Sequence, residues 1–172
     1  MNKSKRLKHN KNEALPGFTN ETAREVLKKF RVLFGTVKQH YRDVEDACGL
    51  GGAQLWALIE ISQAPGLRVS ELATALLVHQ STASNLVDKI EKLGFVAKKR
   101  IKGDQRVVQL FLTKKGSQVI SLAPEPGIGV LPDAIQRLSV ADLNQLDNSM
   151  SMLLASMRIK DVASAGKPLA NL

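Results

Sequence analysis

Cysteine is all but missing from this chain: Cys48 is the single thiol among 172 residues. An intrachain disulfide framework is therefore excluded, and the composition fits a reducing compartment. Histidine is nearly as scarce, and His9, His40 and His79 lie far apart with no second His or Cys at ligand spacing, so no metal site is expected. Aromatic residues make up 4% of the chain, and Tyr41 and Trp56 are the sole Tyr and Trp. No apolar run approaches the roughly twenty residues that span a bilayer. Residues 1–12 are polar and basic with no apolar stretch behind them, unlike a secretory signal, so a cytoplasmic protein without membrane contact is expected. The signatures of common catalytic sites are also lacking. There is no Gly-x-Gly-x-x-Gly after a strand, no P-loop, no Gly-x-Ser-x-Gly and no carboxylate pair in an apolar setting. Neither an enzyme nor a bound cofactor is expected.

What the chain does have is positive charge, +9 net, in one globular domain's worth of sequence with 44% hydrophobic residues. The excess is uneven. Residues 68–119 hold ten basic and four acidic groups, whereas residues 120–172 hold four and five. Nucleic acid is the natural partner, although an acidic protein or membrane surface would suit the same sum. A second basic cluster, Lys3, Lys5, Arg6, Lys8 and Lys11, reads as a mobile tail over residues 1–18.

The basic middle contains the most specific pattern, running from Arg68 to Gly116. Ser70 reads as the N-cap of a short helix carrying Leu72, Ala73 and Leu76. A second apolar stripe then starts in a new phase: Ala83, Leu86, Val87, Ile90 and Leu93. This leaves Ser81, Thr82, Asn85, Asp88, Lys89 and Lys92 outside, and Gly94 ends the helix. Val96–Ile101 and Arg106–Leu112 read as strands joined by the turn-like Lys102-Gly103-Asp104-Gln105, with Val108, Leu110 and Leu112 on one face. The hairpin carries Lys98, Lys99, Arg100, Lys102 and Arg106 against one acid, Asp104, which suits phosphates or a minor groove. A solvated edge guarded by lysines has the same composition.

These residues resemble the MarR family of winged-helix transcription factors, over roughly Leu50 to Leu122. The carriers are Ser70-Glu71-Leu72-Ala73, the run from Ser81 to Val96, Asp104-Gln105-Arg106, and Leu112-Thr113-Lys114-Lys115-Gly116. The resemblance implies that Arg106 enters the minor groove, that Asp104 orients it, and that Thr113 caps the helix leaving the wing. In the recognition helix, Gln80, Ser81, Thr82, Ser84, Asn85 and Lys89 would face the major groove. Ser70, Lys98, Lys99 and Lys114 would meet the backbone. His79 stands where relatives place a small capping residue, and Asn85 where many carry arginine. Asparagine pairs with adenine but holds no phosphate by charge, so only the docking mode transfers.

The expected fold is mainly α with a small β-hairpin, a winged helix-turn-helix (50–118) flanked by dimerisation helices (19–49 and 119–160) and a flexible tail (161–172). Val26, Leu27, Phe30, Leu33, Phe34, Val37, Tyr41 and Val44 mark a long amphipathic helix closed by Cys48-Gly49. Residues Gln54–Gln63 form a shorter one. Ser139 caps a third, striped by Val140, Leu143, Leu146, Met150, Leu153, Leu154 and Met157. The prolines of 124–132 end a helix after Ala123 and restart one near Asp133, as a connector more than a hinge.

Two long apolar stripes around a small winged helix call for a second copy, hence a homodimer on an inverted-repeat operator. Packing of both stripes inside one monomer is the alternative. By resemblance, a small aromatic or phenolic effector would sit between dimer helices and winged helix, near Tyr41 and Trp56, although both are also ordinary core residues. The function expected is a nucleoid-associated repressor released by a ligand. Two other readings exist. The winged helix could be an architectural or protein-interaction module, against which the small polar groups of the recognition face argue. Cys48 could sense redox, but a helix C-terminus disfavours its thiolate.

Overall fold

The structure is a computed structural model that describes residues 20–101, 104–158 and 160–169, without the side chains of 101 and 104–107. The basic tail and Lys102 lie outside the described residues, as do the side chains of Asp104 and Arg106.

Helix α1 (Glu21–Cys48) starts at Asn20, whose side chain accepts from the Ala23 N–H, and stops at Gly49 in the left-handed region. Helix α2 (Gly52–Gln63) begins two residues before the expected start, because Gln54 turns back to accept the Gly51 N–H. Helix α3 (Val69–Ala75) corrects the reading of Ser70 as an N-cap. The helix begins earlier because the Glu71 carboxylate accepts the Arg68 N–H at 2.8 Å. Ser70 lies inside the first turn, and its carbonyl takes the Thr74 hydroxyl.

The turn between α3 and α4 (Gln80–Lys92) is made by Leu77 at φ 55°. Its N–H reaches Thr74 O and the Val78 N–H reaches Ala73 O, which is a Schellman closure. The same closure ends α4, with Gly94 at φ 77° and the Phe95 N–H on Ile90 O. Glycine takes this conformation freely, whereas a side chain there costs about 1–2 kcal/mol.

Strands β1 (Val96–Ile101) and β2 (Asp104–Leu112) pair antiparallel, with Val96 opposite Leu112 and a register shift between Arg100 and Ile101. Strand β2 starts two residues before the expected Arg106, so Asp104 sits on strand backbone. The wing also gains a short third edge: Gly66 N–H donates to Leu110 O and Leu110 N–H to Leu67 O.

Helix α5 (Lys114–Ile120) has the expected Thr113 cap, whose hydroxyl oxygen accepts from the Gly116 N–H. It ends before Ala123, and α6 (Val130–Gln136) restarts before Asp133. Pro132 is tolerated there because the first helical turn needs no N–H donors from its residues. Helix α7 (Val140–Ser156) follows its Ser139 cap. Where a flexible tail was expected, the chain closes with a 3-10 helix, η1 (Val162–Gly166).

The core lies inside the winged helix. Leu58 and Ile61 of α2, Leu72 of α3, Val87 and Ile90 of α4 and Leu110 of β2 are fully buried together. Each such side chain contributes about 1.5–3 kcal/mol by leaving water. Helix α7 buries none of its residues.

Candidate nucleic-acid interface

Helix α4 separates its two faces cleanly. Ala83, Leu86, Val87 and Ile90 pack on the core, while Gln80, Ser81, Ser84, Asn85, Asp88 and Lys89 are exposed; Thr82 is half-buried. Its N-cap His79 offers no side-chain bond to the first turn, as expected of an imidazole. The far end is better held. Lys115 donates to the Leu93 carbonyl at 2.9 Å, matching the negative end of the helix dipole, and its ammonium lies 4.8 Å from the Phe95 ring centroid.

Lys98 fastens the wing to this helix. Lys98 reaches Asp88 Oδ1 at 2.6 Å and Glu91 Oε2 at 2.7 Å, both on α4. Partial burial pulls the Lys98 ammonium down, but its bonds to Asp88 and Glu91 outweigh this and raise it. The bond from Lys98 and its charge hold the Asp88 carboxyl below its ordinary value. Lys98 is thus occupied as a staple. Lys99 is exposed, with its ammonium over the Phe111 ring at 4.7 Å. Lys114 is exposed at the first position of α5, and Ser70 is exposed on α3. Arg100 is exposed on β1.

Gly116 sets how closely α5 approaches the wing. A Cβ at this position would overlap the Phe95 carbonyl oxygen and crowd Leu112. The Thr113 hydroxyl locks the same junction by donating toward the Gly94 carbonyl at 2.8 Å.

Residues 52–108 match the model of the MarR family. This segment is a MarR-family winged helix. At the sequence level it is similar to the HTH-type transcriptional regulator YybA of Bacillus subtilis, 28% identical over 63% of this chain and 69% of that one. It is also similar to the transcriptional repressor MprA of Escherichia coli, 27% identical over 64% of each chain, so that match spans just under two thirds of the relative. Among solved structures it resembles Sco3205, a MarR family transcriptional regulator from Streptomyces coelicolor in complex with DNA. The TM-score is 0.54 at 21% identity, covering 86% of this chain and 95% of that one. The winged-helix MarR fold is thereby established, and its class is that of DNA-binding transcriptional regulators.

Behind the MarR winged helix lies a cavity of about 1230 Å³ between α1, α2, the α3–α4 turn, α6, α7 and the C-terminal segment. Tyr41 and Trp56 both line it, together with Leu77, Ile135, Met150 and Leu154. Trp56 donates its indole N–H to Glu60 at 2.8 Å. Burial pushes the Tyr41 phenol up, so it stays a hydrogen-bond donor at neutral pH. Cys48 is half-buried, with Sγ 3.7 Å from the Val119 carbonyl oxygen, and burial raises its thiol. That environment suppresses the thiolate on which redox sensing depends. Among the described residues, no helix is long and apolar enough to cross a membrane.

The sequence reading did not foresee the Lys98 staple or the C-terminal wall of the cavity. Asp88 and Glu91, three apart on the exposed side of α4, were the available signal for the first. Asp161 and Ser164 were the signal for the second, since Ser164 Oγ donates to Asp161 Oδ2 at 2.7 Å within η1.

Proposed function

We propose that the chain is a homodimeric repressor that reads an inverted repeat with two copies of α4 and is released by a small apolar or aromatic ligand. The observation that carries this reading is the exposed polar face of α4, fixed on a fully packed core and braced from the wing by Lys98. Gln80, Ser81, Ser84 and Asn85 are small donors and acceptors suited to base edges, and Lys99, Lys114 and Ser70 serve the phosphates. Asp104 and Arg106 of the wing motif are assigned to the minor groove, on the resemblance to MarR regulators.

Dimerisation is supported by what one chain leaves uncovered. Leu146, Met150, Leu153, Leu154 and Met157 of α7 are exposed, as are Val32 and Phe34 of α1. Exposed apolar faces of this size mark an interface. Release by a ligand is supported by the apolar cavity with its Tyr41 donor, set between α7 and the recognition unit. The repressor assignment follows the likeness to the repressor MprA.

The test is selection of fragmented genomic DNA by purified protein at near-physiological salt, followed by sequencing. A few inverted repeats should be enriched, and Arg106→Ala should weaken binding to them by about 1–3 kcal/mol while leaving the fold intact. Diffuse, salt-sensitive capture without a motif would contradict the reading.

A further inference from the structure

The segment 160–169 touches both halves of the molecule. The Gly166 carbonyl accepts the N–H of His79, the N-cap of α4, at 3.3 Å. A Cβ at 166 would overlap the His79 ring, so the imidazole would have to swing away to admit a side chain there. On its other side the segment walls the cavity, with Asp161, Val162, Ser164, Lys167 and Leu169 among the lining residues, across from Tyr41 and Trp56. Covalently, it continues α7 within a few residues.

The turn has its own internal ties. Asp161 Oδ2 accepts from Ser164 Oγ at 2.7 Å and from the Lys167 ammonium at 3.5 Å. First the Ser164 bond and then the Lys167 charge hold the Asp161 carboxyl below its ordinary value.

We propose that residues 160–169 are a strap that couples the contents of the cavity to the start of the recognition helix. Helix α4 has no side-chain cap, so the strap carbonyl on the His79 backbone is an anchor at an end that is otherwise weakly held. A molecule filling the cavity presses on the strap because the strap is its wall. Loss of the Gly166 contact then frees the first turn of α4, where Gln80 and Ser81 stand. The strap is part of the cavity in the regulatory reading above, but the coupling is intrinsic to one chain and is tested without DNA. Its failure and the failure of DNA recognition are therefore separate results.

The experiment uses the full-length protein with anilinonaphthalene sulfonate as the apolar probe, and its binding is read by energy transfer from Trp56. Two quantities are followed: trypsin cleavage after Lys160, and amide hydrogen exchange over residues 78–84. In the wild type the probe should raise both together. In Gly166→Leu both should be raised without the probe, the exchange by up to roughly tenfold, the worth of one backbone hydrogen bond, and the probe should add little. Asp161→Ala, which unties the strap without adding bulk, should behave likewise and decides the matter if Gly166→Leu does not fold. Wild-type exchange over 78–84 in the folded variants would overturn the proposal. So would a probe that loosens the strap without changing that exchange, or one that does not bind near Trp56 at all.

Discussion

Helices α2 and α7 have opposite fates in one chain. The twelve residues of α2 bury Gly52, Ala53, Leu55, Ala57, Leu58 and Ile61, whereas the seventeen of α7 bury none. Both are rich in leucine and related side chains, so hydrophobicity alone does not separate them. What separates them is the supply of neighbours. Helix α2 is surrounded by α3, α4, α5 and the wing, which close over it. Helix α7 leaves Met152 68% exposed and Leu154 48% exposed. Helix α1 resembles α7 along most of its length, with Phe34 66% exposed and only His40 and Val44 buried. The winged helix is covered within one copy, whereas the flanking helices leave apolar faces open.

The largest effect should come from attacking the incomplete region. Met150→Glu combined with Leu153→Glu places charge on the exposed stripe of α7 and should convert a dimer to a monomer by analytical ultracentrifugation. Each copy would then bind DNA singly, lowering operator affinity by on the order of 10²-fold or more through lost avidity. The winged-helix core should remain folded by hydrogen exchange. A variant that stays dimeric would move the interface off α7.

Attacking the complete region should unfold it regardless of dimerisation. Gly116→Ala forces a Cβ into the Phe95 carbonyl oxygen, and chemical denaturation should report a loss of about 3 kcal/mol. A loss equal to that of Gly51→Ala, whose Cβ would meet no more than the Gln54 amide at ordinary contact, would mean that the α5 junction yields.

A smaller effect is expected where the wing meets the recognition helix. Lys98→Met removes the staple, is expected to cost about 1 kcal/mol or less as a partly exposed ion pair, and should raise exchange along β1 and β2. The pH dependence has two limits. Asp88 is held below its ordinary 3.8, so its contribution is present above that value and is lost as pH falls through its lower folded pKa. Lys98 is held above its ordinary 10.5, so its contribution is present below that value and is lost as pH rises through the higher folded one. Stability of the wing should therefore be flat across neutral pH in the wild type. In Lys98→Met it should lose the acid-side decline that Asp88 causes, which thermal melts between acidic and neutral pH would register.

The same contrast governs what the sequence could reveal. Two Schellman closures flank α4, and the one at Gly94 was legible because glycine is the residue that geometry favours. The one at Leu77 was not, because a leucine carries no signal for a positive φ. The stripes of α2, α4 and α7 were legible as helical faces, yet periodicity reports only that a face is apolar, not whether it is covered within one chain. Ser70 was read as a cap from its residue type, whereas the Glu71 side chain decided the start of α3. The polar face of α4 followed directly from its stripe. The pairing of Lys98 with Asp88 and Glu91 did not, because it depends on where the wing folds back. Residues 161–169 fall in the segment read as a tail, and their ordering comes from contact with His79 and from the Asp161 bonds.

Two copies of α4 are proposed to read one symmetric site. Hydroxyl-radical footprinting of a genomically selected fragment, at near-physiological salt, tests it most directly. Two protected patches related by a two-fold axis are expected, with centres about one helical turn or a multiple of it apart. A single patch, or protection spread evenly along the duplex without symmetry, would contradict it.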